Sequence, residues 1–283
     1  MRLAIIIPTY NAGSEFGLLL DELDKQTLQA DIRVVVDSES SDDTVKISEN
    51  HKWHVIKINK KDFNHGSTRQ MALDYVLEQM AADYAVYITQ DVRMPQKNSL
   101  EKLLKSFSNK HVGAAYGRQM PHDGASIYAR MDREYNYPPK NKIKTKDDIE
   151  QMGKKAAFLS DSFAAYRVSA LKKIGGFPQI DICEDMYVGG KLLLAGWHIA
   201  YMADAGVRHS HEPMFNSATW NRYRMIGKFQ REEKWIQKYF GDSTGDGIKL
   251  LKYQLKNIFP QKGIQGVIKV ILIDAFRFVA YKW

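Results

Sequence analysis

One cysteine, Cys183, stands in the whole chain of 283 residues. A single thiol excludes an internal disulfide framework and a cysteine-rich zinc site, and it suits a reducing compartment such as the cytoplasm. Long apolar runs are missing too. No window of about 18 or more residues is free of charge, so no transmembrane helix is expected. The segment "RLAIIIPTY" directly after Met1 lacks the apolar stretch and small-residue cleavage site of a secretory signal. Two common phosphate-binding loops are absent: "PTYNAG" is not Gly-x-Gly-x-x-Gly, and no Gly-x-x-x-x-Gly-Lys-Ser/Thr occurs. A dinucleotide site or a P-loop is therefore not expected.

Charge is abundant but uneven. The net charge is +8. Residues 1–204 hold 27 Lys and Arg against 27 Asp and Glu, whereas residues 205–283 hold 14 against 6. All of the surplus lies in the C-terminal region, where it can meet nucleic acid, anionic lipid or a phosphorylated substrate, or simply be solvated.

Apolar β-branched runs alternate with amphipathic segments. "LAIIIP" (3–8), "IRVVVD" (32–37), "WHVIKI" (53–58) and "YAVYIT" (84–89) read as strands. Helical spacing falls between them, with Phe16, Leu19, Leu20 and Leu23 in one segment and Met71, Leu73, Tyr75, Val76 and Met80 in another. The series predicts an α/β fold with a mostly parallel central sheet, whose ligand crevice lies beyond the carboxyl ends of the strands. The Lys-rich stretch 135–155 has few large apolar residues and predicts a mobile loop over the site. From about residue 217 the pattern is helical.

Several polar residues fall at those strand ends. Asp37 closes an apolar strand and requires a partner, for which a nucleobase imide or a ribose hydroxyl would serve. Ser41 and Asp42 have the chemistry of caps for a helix near Thr44. "HGSTRQ" (65–70) sets Arg69 in the first turn of a helix, where free amides and the dipole favour an anion; capping by Ser67 is the structural alternative. His209 and His211, two residues apart on an extended segment, share one side of it.

"IIIPTYN", "VVVDSESSDDT", "HGSTRQ", "TQD", "DSFAAYR" and "CED" follow in that order. Together they resemble the inverting family 2 glycosyltransferases of the GT-A fold, nearest to bacterial rhamnosyltransferases that use dTDP-L-rhamnose. The resemblance covers roughly residues 1–212 and implies a site. Pro8, Tyr10, Asn11, Asp37, Arg69 and Gln90 would bind the nucleotide, and Asp91 with His209 would hold a divalent cation, Mn²⁺ or Mg²⁺. Asp185 would be the general base, with Glu184 beside it. Asp161, Ser162 and Phe163 would line the donor-sugar and acceptor cleft, while Tyr166 and Arg167 read as sheet packing and a surface cation. Thr89 stands where such enzymes commonly place the first acid of an Asp-x-Asp pair.

The implied organisation is a catalytic domain, 1–212, with a nucleotide-binding half (1–119) and an acceptor half (120–212), followed by a helical region, 213–283. The implied partners are dTDP-L-rhamnose and a glycan acceptor carried on a polyprenyl diphosphate at the inner membrane surface; no nucleic acid is expected. Transfer of another hexose from a UDP-sugar, and a non-catalytic membrane- or glycan-binding role, are the alternatives. At the C-terminus, Ile264, Val267, Ile268, Ile271, Leu272, Ala275, Phe276 and Val279 form one apolar helical stripe, with Lys262, Lys269 and Arg277 on another face. Packing on the catalytic domain or on a second copy is the simpler expectation for that stripe, and an interfacial helix on an anionic leaflet the sharper one.

Overall fold

The computed structural model describes residues 1–241 and 244–283. Eight strands form one sheet: β1 (Leu3–Thr9), β2 (Ile32–Asp37), β3 (His54–Lys57), β4 (Tyr84–Ile88), β5 (Val112–Met120), β6 (Lys142–Lys144), β7 (Phe163–Arg167) and β8 (His198–Arg208). Their order is β3-β2-β1-β4-β7-β5-β8-β6. The pairs β1–β2, β1–β4, β2–β3 and β5–β8 are parallel, and β7 runs antiparallel between β4 and β5.

The apolar runs become interior strands because both their faces are covered. Along β1, Ala4 and Ile6 enter one core, while Leu3, Ile5 and Ile7 enter the core on the opposite face. Helices therefore pack on both sides of the sheet, as a continuous apolar run in a parallel sheet requires. Thr9 pairs in register with Asp37, which places the polar ends of β1 and β2 side by side.

The stretch 135–155 is not a mobile loop. It contributes the edge strand β6, antiparallel to β8, and the short helices Ile149–Met152 and Lys154–Ala157. Lys144 is fully buried there and donates to the Tyr116 hydroxyl (3.3 Å) and to the carbonyls of Lys155 (3.2 Å) and Phe158. Burial lowers its pKa to about 7. Few large apolar residues were needed, because one lysine stem and its carbonyl partners tie the segment down. Arg167 also departs from expectation: it is half-buried, donates to the carbonyls of Val112 and Phe107, and stacks on Tyr84.

The C-terminal segment Thr244–Lys282 is helical on either side of a break at Gly263, whose φ of 56° marks the kink. Its second half packs along the helix Ser217–Glu232. Gly227 lies so close to the Tyr281 carbonyl that a Cβ there would collide with it.

Candidate active site

At the ends of β1 and β2 the chain builds a polar rim. Asp37 is 2% exposed; it accepts from the Thr9 hydroxyl (3.1 Å), the Ser40 amide (2.9 Å) and the Ser40 hydroxyl (2.5 Å). The partner its burial demands is therefore supplied internally. Asn11, in the left-handed region at φ 44°, accepts from the Ser41 amide (2.8 Å), and its own amide donates to Ser40 Oγ (2.8 Å). Asp42 does not cap the helix Thr44–Asn50 from the N-cap position, which Asp43 occupies. It accepts instead from the Thr44 and Gly13 amides and so pins the two rim loops together. Pro8 is half-buried. Gln90 bridges to the Tyr10 backbone in both directions, at 2.8 and 3.1 Å, and Lys60 donates to the Tyr10 hydroxyl (2.7 Å).

The first amides of the helix His65–Gln79 are largely taken. Asn64, not Ser67, is its cap, accepting from the Ser67 amide (3.1 Å), and the Gly66 amide donates to the Ile180 carbonyl (3.0 Å). Arg69 is 3% exposed. Its guanidinium points inward, Nε to Asp161 Oδ2 and Nη1 to Glu184 Oε1, both at 3.0 Å. The Arg69 guanidinium is turned to two buried carboxylates and not to the open helix start, which corrects the expectation of a diphosphate beside it.

Around Arg69 gather three carboxylates. Asp161 is buried and accepts from the Tyr166 hydroxyl. Tyr166 is therefore more than sheet packing. Burial pushes Asp161 up to about 7 against the pull of Arg69, and Glu184 adds like charge. Asp185 opens the helix Glu184–Leu194 behind Cys183, a residue held at φ 65°. Backbone in that region is uncommon for a non-glycine residue and marks a constrained turn. Asp185 is half-buried and makes no ion pair among the described residues, accepting only from the Met186 amide (2.7 Å). Burial, then the charges of Glu184 and Asp161, raise its pKa well above the usual carboxylate range. The two adjacent acids thus differ: Glu184 is locked to Arg69, and Asp185 is a strengthened base.

Phe163 does not line a cleft. It is fully buried in the sheet core against Gly117, where a Cβ would strike its ring. Ser162 is half-buried at the start of β7, its carbonyl accepting from the Thr89 amide (3.4 Å).

The third cluster follows β4 and β8. His209 Nε2 lies 3.3 Å and His211 Nδ1 4.0 Å from Asp91 Oδ2. Among the described residues, one ligand atom from each of these three falls within 4.8 Å of the others. Burial would raise Asp91, but hydrogen bonding to His209 and the charges of both histidines hold it well below the usual range. Thr89 supplies no second carboxylate, and its buried hydroxyl makes no hydrogen bond among the described residues. His211 was not singled out as a ligand from sequence; its spacing from His209 was the signal. Gln119 is a further residue that sequence reasoning missed. It is buried, donates to Ser160 Oγ (2.7 Å), and its Oε1 accepts from Arg133 (2.7 Å) and faces His209 Nδ1 (2.9 Å). Because Oε1 can only accept, Nδ1 carries a proton, and Nε2 is the ring nitrogen turned toward Asp91. That donor set, one carboxylate oxygen and two imidazoles, fits a first-row divalent cation such as Mn²⁺. A cavity of about 580 Å³ opens beside it, bordered by Gln90, Asp91, Arg93, His122 and Arg208.

The base and the Asp91 group share neighbours. The charge of Arg222, exposed on the helix Ser217–Glu232, acts on both His211 and Cys183. Tyr137 responds to both Arg133 and Asp185.

A sheet of this topology, with acidic and imidazole groups collected past its strand ends, is that of a nucleotide-sugar transferase. Residues 4–175 match the model of glycosyl transferase family 2, and the chain belongs to that family. It is a glycosyltransferase. It is 38% identical over 285 residues to the O-antigen chain rhamnosyltransferase RfbN of Salmonella typhimurium, covering 100% of this chain and 89% of the relative. It is 39% identical over 281 residues to the O-antigen chain rhamnosyltransferase WbaN of Salmonella anatum, covering 98% and 87%. The fold is also that of the mannosyltransferase PcManGT from Pyrobaculum calidifontis, solved with GDP-Man and Mn²⁺, at TM-score 0.60 and 18% identity over 99% of this chain and 75% of that one. S. aureus TarS 1–349 with UDP-GlcNAc matches at TM-score 0.59 and 18% identity over 100% and 90%. The GT-A fold and the family expected from sequence both hold.

Proposed function

We propose that the protein transfers L-rhamnose from dTDP-β-L-rhamnose to a hydroxyl of an O-antigen-type polysaccharide precursor, with inversion, giving an α-linkage. The donor and acceptor follow from the two Salmonella relatives, whose similarity runs the whole length of the chain. The observation that carries the chemistry is the separation of roles between carboxylates, with Asp185 free of ion pairs and raised in pKa while Asp91 is grouped with two histidines.

A sugar hydroxyl is a poor nucleophile, so a carboxylate must take its proton as the bond to the donor C1 forms and the bond from C1 to the diphosphate oxygen breaks. Asp185 takes that proton. Glu184 and Asp161, neutralised in part by Arg69, hold the start of its helix in place and keep its basicity high. Asp91, His209 and His211 would hold a divalent cation, which supplies positive charge against the departing diphosphate. Arg222 is placed to add to that charge. Pro8, Tyr10 and Asn11 shape the base and ribose pocket, with Gln90 fixing the Tyr10 backbone and Asp37 acting through the Ser40 hydroxyl it orients. Ser162 borders the sugar. Residues 1–212 serve as the catalytic domain, with 1–119 binding the nucleotide and 120–212 the acceptor, and 213–283 are an appended helical region. The acceptor is carried on a polyprenyl diphosphate, and the enzyme works in the cytoplasm at the inner face of the membrane.

Incubation with dTDP-rhamnose, UDP-hexoses and GDP-mannose, each with Mn²⁺ or Mg²⁺ and a lipid-linked acceptor, followed by product mass and linkage, tests the reading. One added deoxyhexose in α-linkage, from dTDP-rhamnose alone, is expected. Consumption of a UDP-hexose in its place sinks the donor assignment.

A further inference from the structure

The apolar stripe of the C-terminal helix lies on its open side. Val270, Ile273 and Ala280 pack inward, and Arg277 turns inward with them to pair with Asp132 (2.9 Å) and Asp274 (3.5 Å). Most of the stripe expected to pack on the catalytic domain or a second copy points the other way: Ile264, Ile268, Ile271, Leu272 and Val279, with Phe278 beside them, are 48–64% exposed, while Val267 and Phe276 are half-buried. At 100° per residue these six span roughly 120° of the helix surface, opposite the packed face. A helix apolar on both faces requires a second apolar environment for the one left open.

Charge selects the occupant. The segment 244–283 holds seven Lys and Arg against two acids, and one of the seven, Arg277, is turned inward. Lys252, Lys256, Lys262, Lys269 and Lys282 are exposed, and Trp283 closes the helix at 76% exposure. Two copies of a segment with that basic surplus would repel each other, whereas an anionic bilayer surface attracts it. Among the described residues no helix is long and apolar enough to cross a membrane, so the helix would lie in the plane of the surface.

We infer that residues 264–283 form an in-plane anchor for an anionic phospholipid surface, with Ile264, Ile268, Ile271, Leu272, Phe278 and Val279 entering the acyl boundary. The face continues toward the catalytic site. Phe215 is exposed, meets Phe276 edge-to-face (5.4 Å between ring centres) and stands four residues from His211 in the chain. The short link from His211 to Phe215 therefore joins the candidate cation group to the lipid-facing surface, where a diphosphate on a membrane-bound carrier would be presented.

The inference deepens the proposed function but is tested without donor or acceptor, so either can fail alone. The full chain is floated with phosphatidylcholine vesicles, with and without phosphatidylglycerol, beside the double variant Ile268→Glu, Leu272→Glu. These positions are exposed, so thermal unfolding should not change. Wild type is expected to float only with the anionic vesicles, and the double variant to lose at least about tenfold in partitioning. Lys256→Glu and Lys262→Glu should each cost about fivefold or more. Failure of wild type to float, equal flotation with neutral vesicles, or equal flotation of the double variant overturns the inference. So does a wild-type dimer by light scattering that the double variant converts to monomer, which would assign the face to a second copy.

Discussion

Two acidic clusters lie beyond the ends of the same sheet, and they are built on opposite plans. Around Arg69, Asp161 and Glu184 are buried and bound to a single guanidinium, and the unpaired Asp185 is left with a raised pKa. Around Asp91, the carboxylate is exposed, its pKa is depressed, and its neighbours are imidazoles whose lone pairs can be directed at a cation. One cluster raises the proton affinity of a carboxylate, and the other lowers it. Residue type does not separate them, since each centres on aspartate. Burial and the sign of the neighbouring charge do.

The comparison can be broken at its largest effect by Asp185→Asn. Losing the base should lower kcat by about 10²–10⁴-fold while Mn²⁺ and donor binding, measured by calorimetry, stay within about twofold. A comparable loss of Mn²⁺ binding would mean that the clusters do not divide their tasks. Next in size is Gln119→Leu, which removes the acceptor that sets the His209 tautomer. Mn²⁺ affinity, followed by the electron paramagnetic resonance of the free ion, should fall about 10–100-fold, and Gln119→Glu, which keeps an acceptor, should restore most of it. An unchanged affinity in the leucine variant would remove Gln119 from the site.

The smallest effect concerns pH. Asp185 must be ionised to accept a proton, so activity should fall as pH is lowered through its raised pKa. Glu184→Gln removes a like charge that raises this pKa, so the acid limb of kcat/KM should move to lower pH. Movement to higher pH would show that the charge of Glu184 does not raise the Asp185 pKa. Stability runs separately. His65 and His211 are each lowered from 6.5 to about 4, His65 by burial and then Arg69, His211 by burial and then His209. Their depressed values mean that stability present above pH 6.5 is lost as pH falls toward 4. That loss can mask the acid limb unless unfolding is followed in parallel.

Much of this molecule could be read directly from its sequence. Strands such as "LAIIIP" and "IRVVVD" are apolar and β-branched throughout, and such segments are stable only when both faces are covered, so a parallel sheet with helices on each side followed from local pattern alone. The turn residues after those strands had to fall at one edge of the sheet, because parallel strands end on the same side; hence Pro8, Tyr10, Asn11, Asp37, Gln90 and Asp91 were identifiable as a group. The spacing of His209 and His211 likewise needed no structure to place them on one side of an extended segment. Orientation was a different matter. Arg69 was visible at a helix start, but its inward direction depends on Asp161 and Glu184, which arrive from 92 and 115 positions away in the chain. Gln119 gained a role only when β5 and β8 paired and brought it to His209. "KIK" became the edge strand β6 because β8 offered a partner, and a lysine could be buried there because three oxygens converged on it. The C-terminal stripe shows the limit most clearly. Periodicity established that one face was apolar, but which face the protein covers depends on the neighbouring helices, and they cover the other.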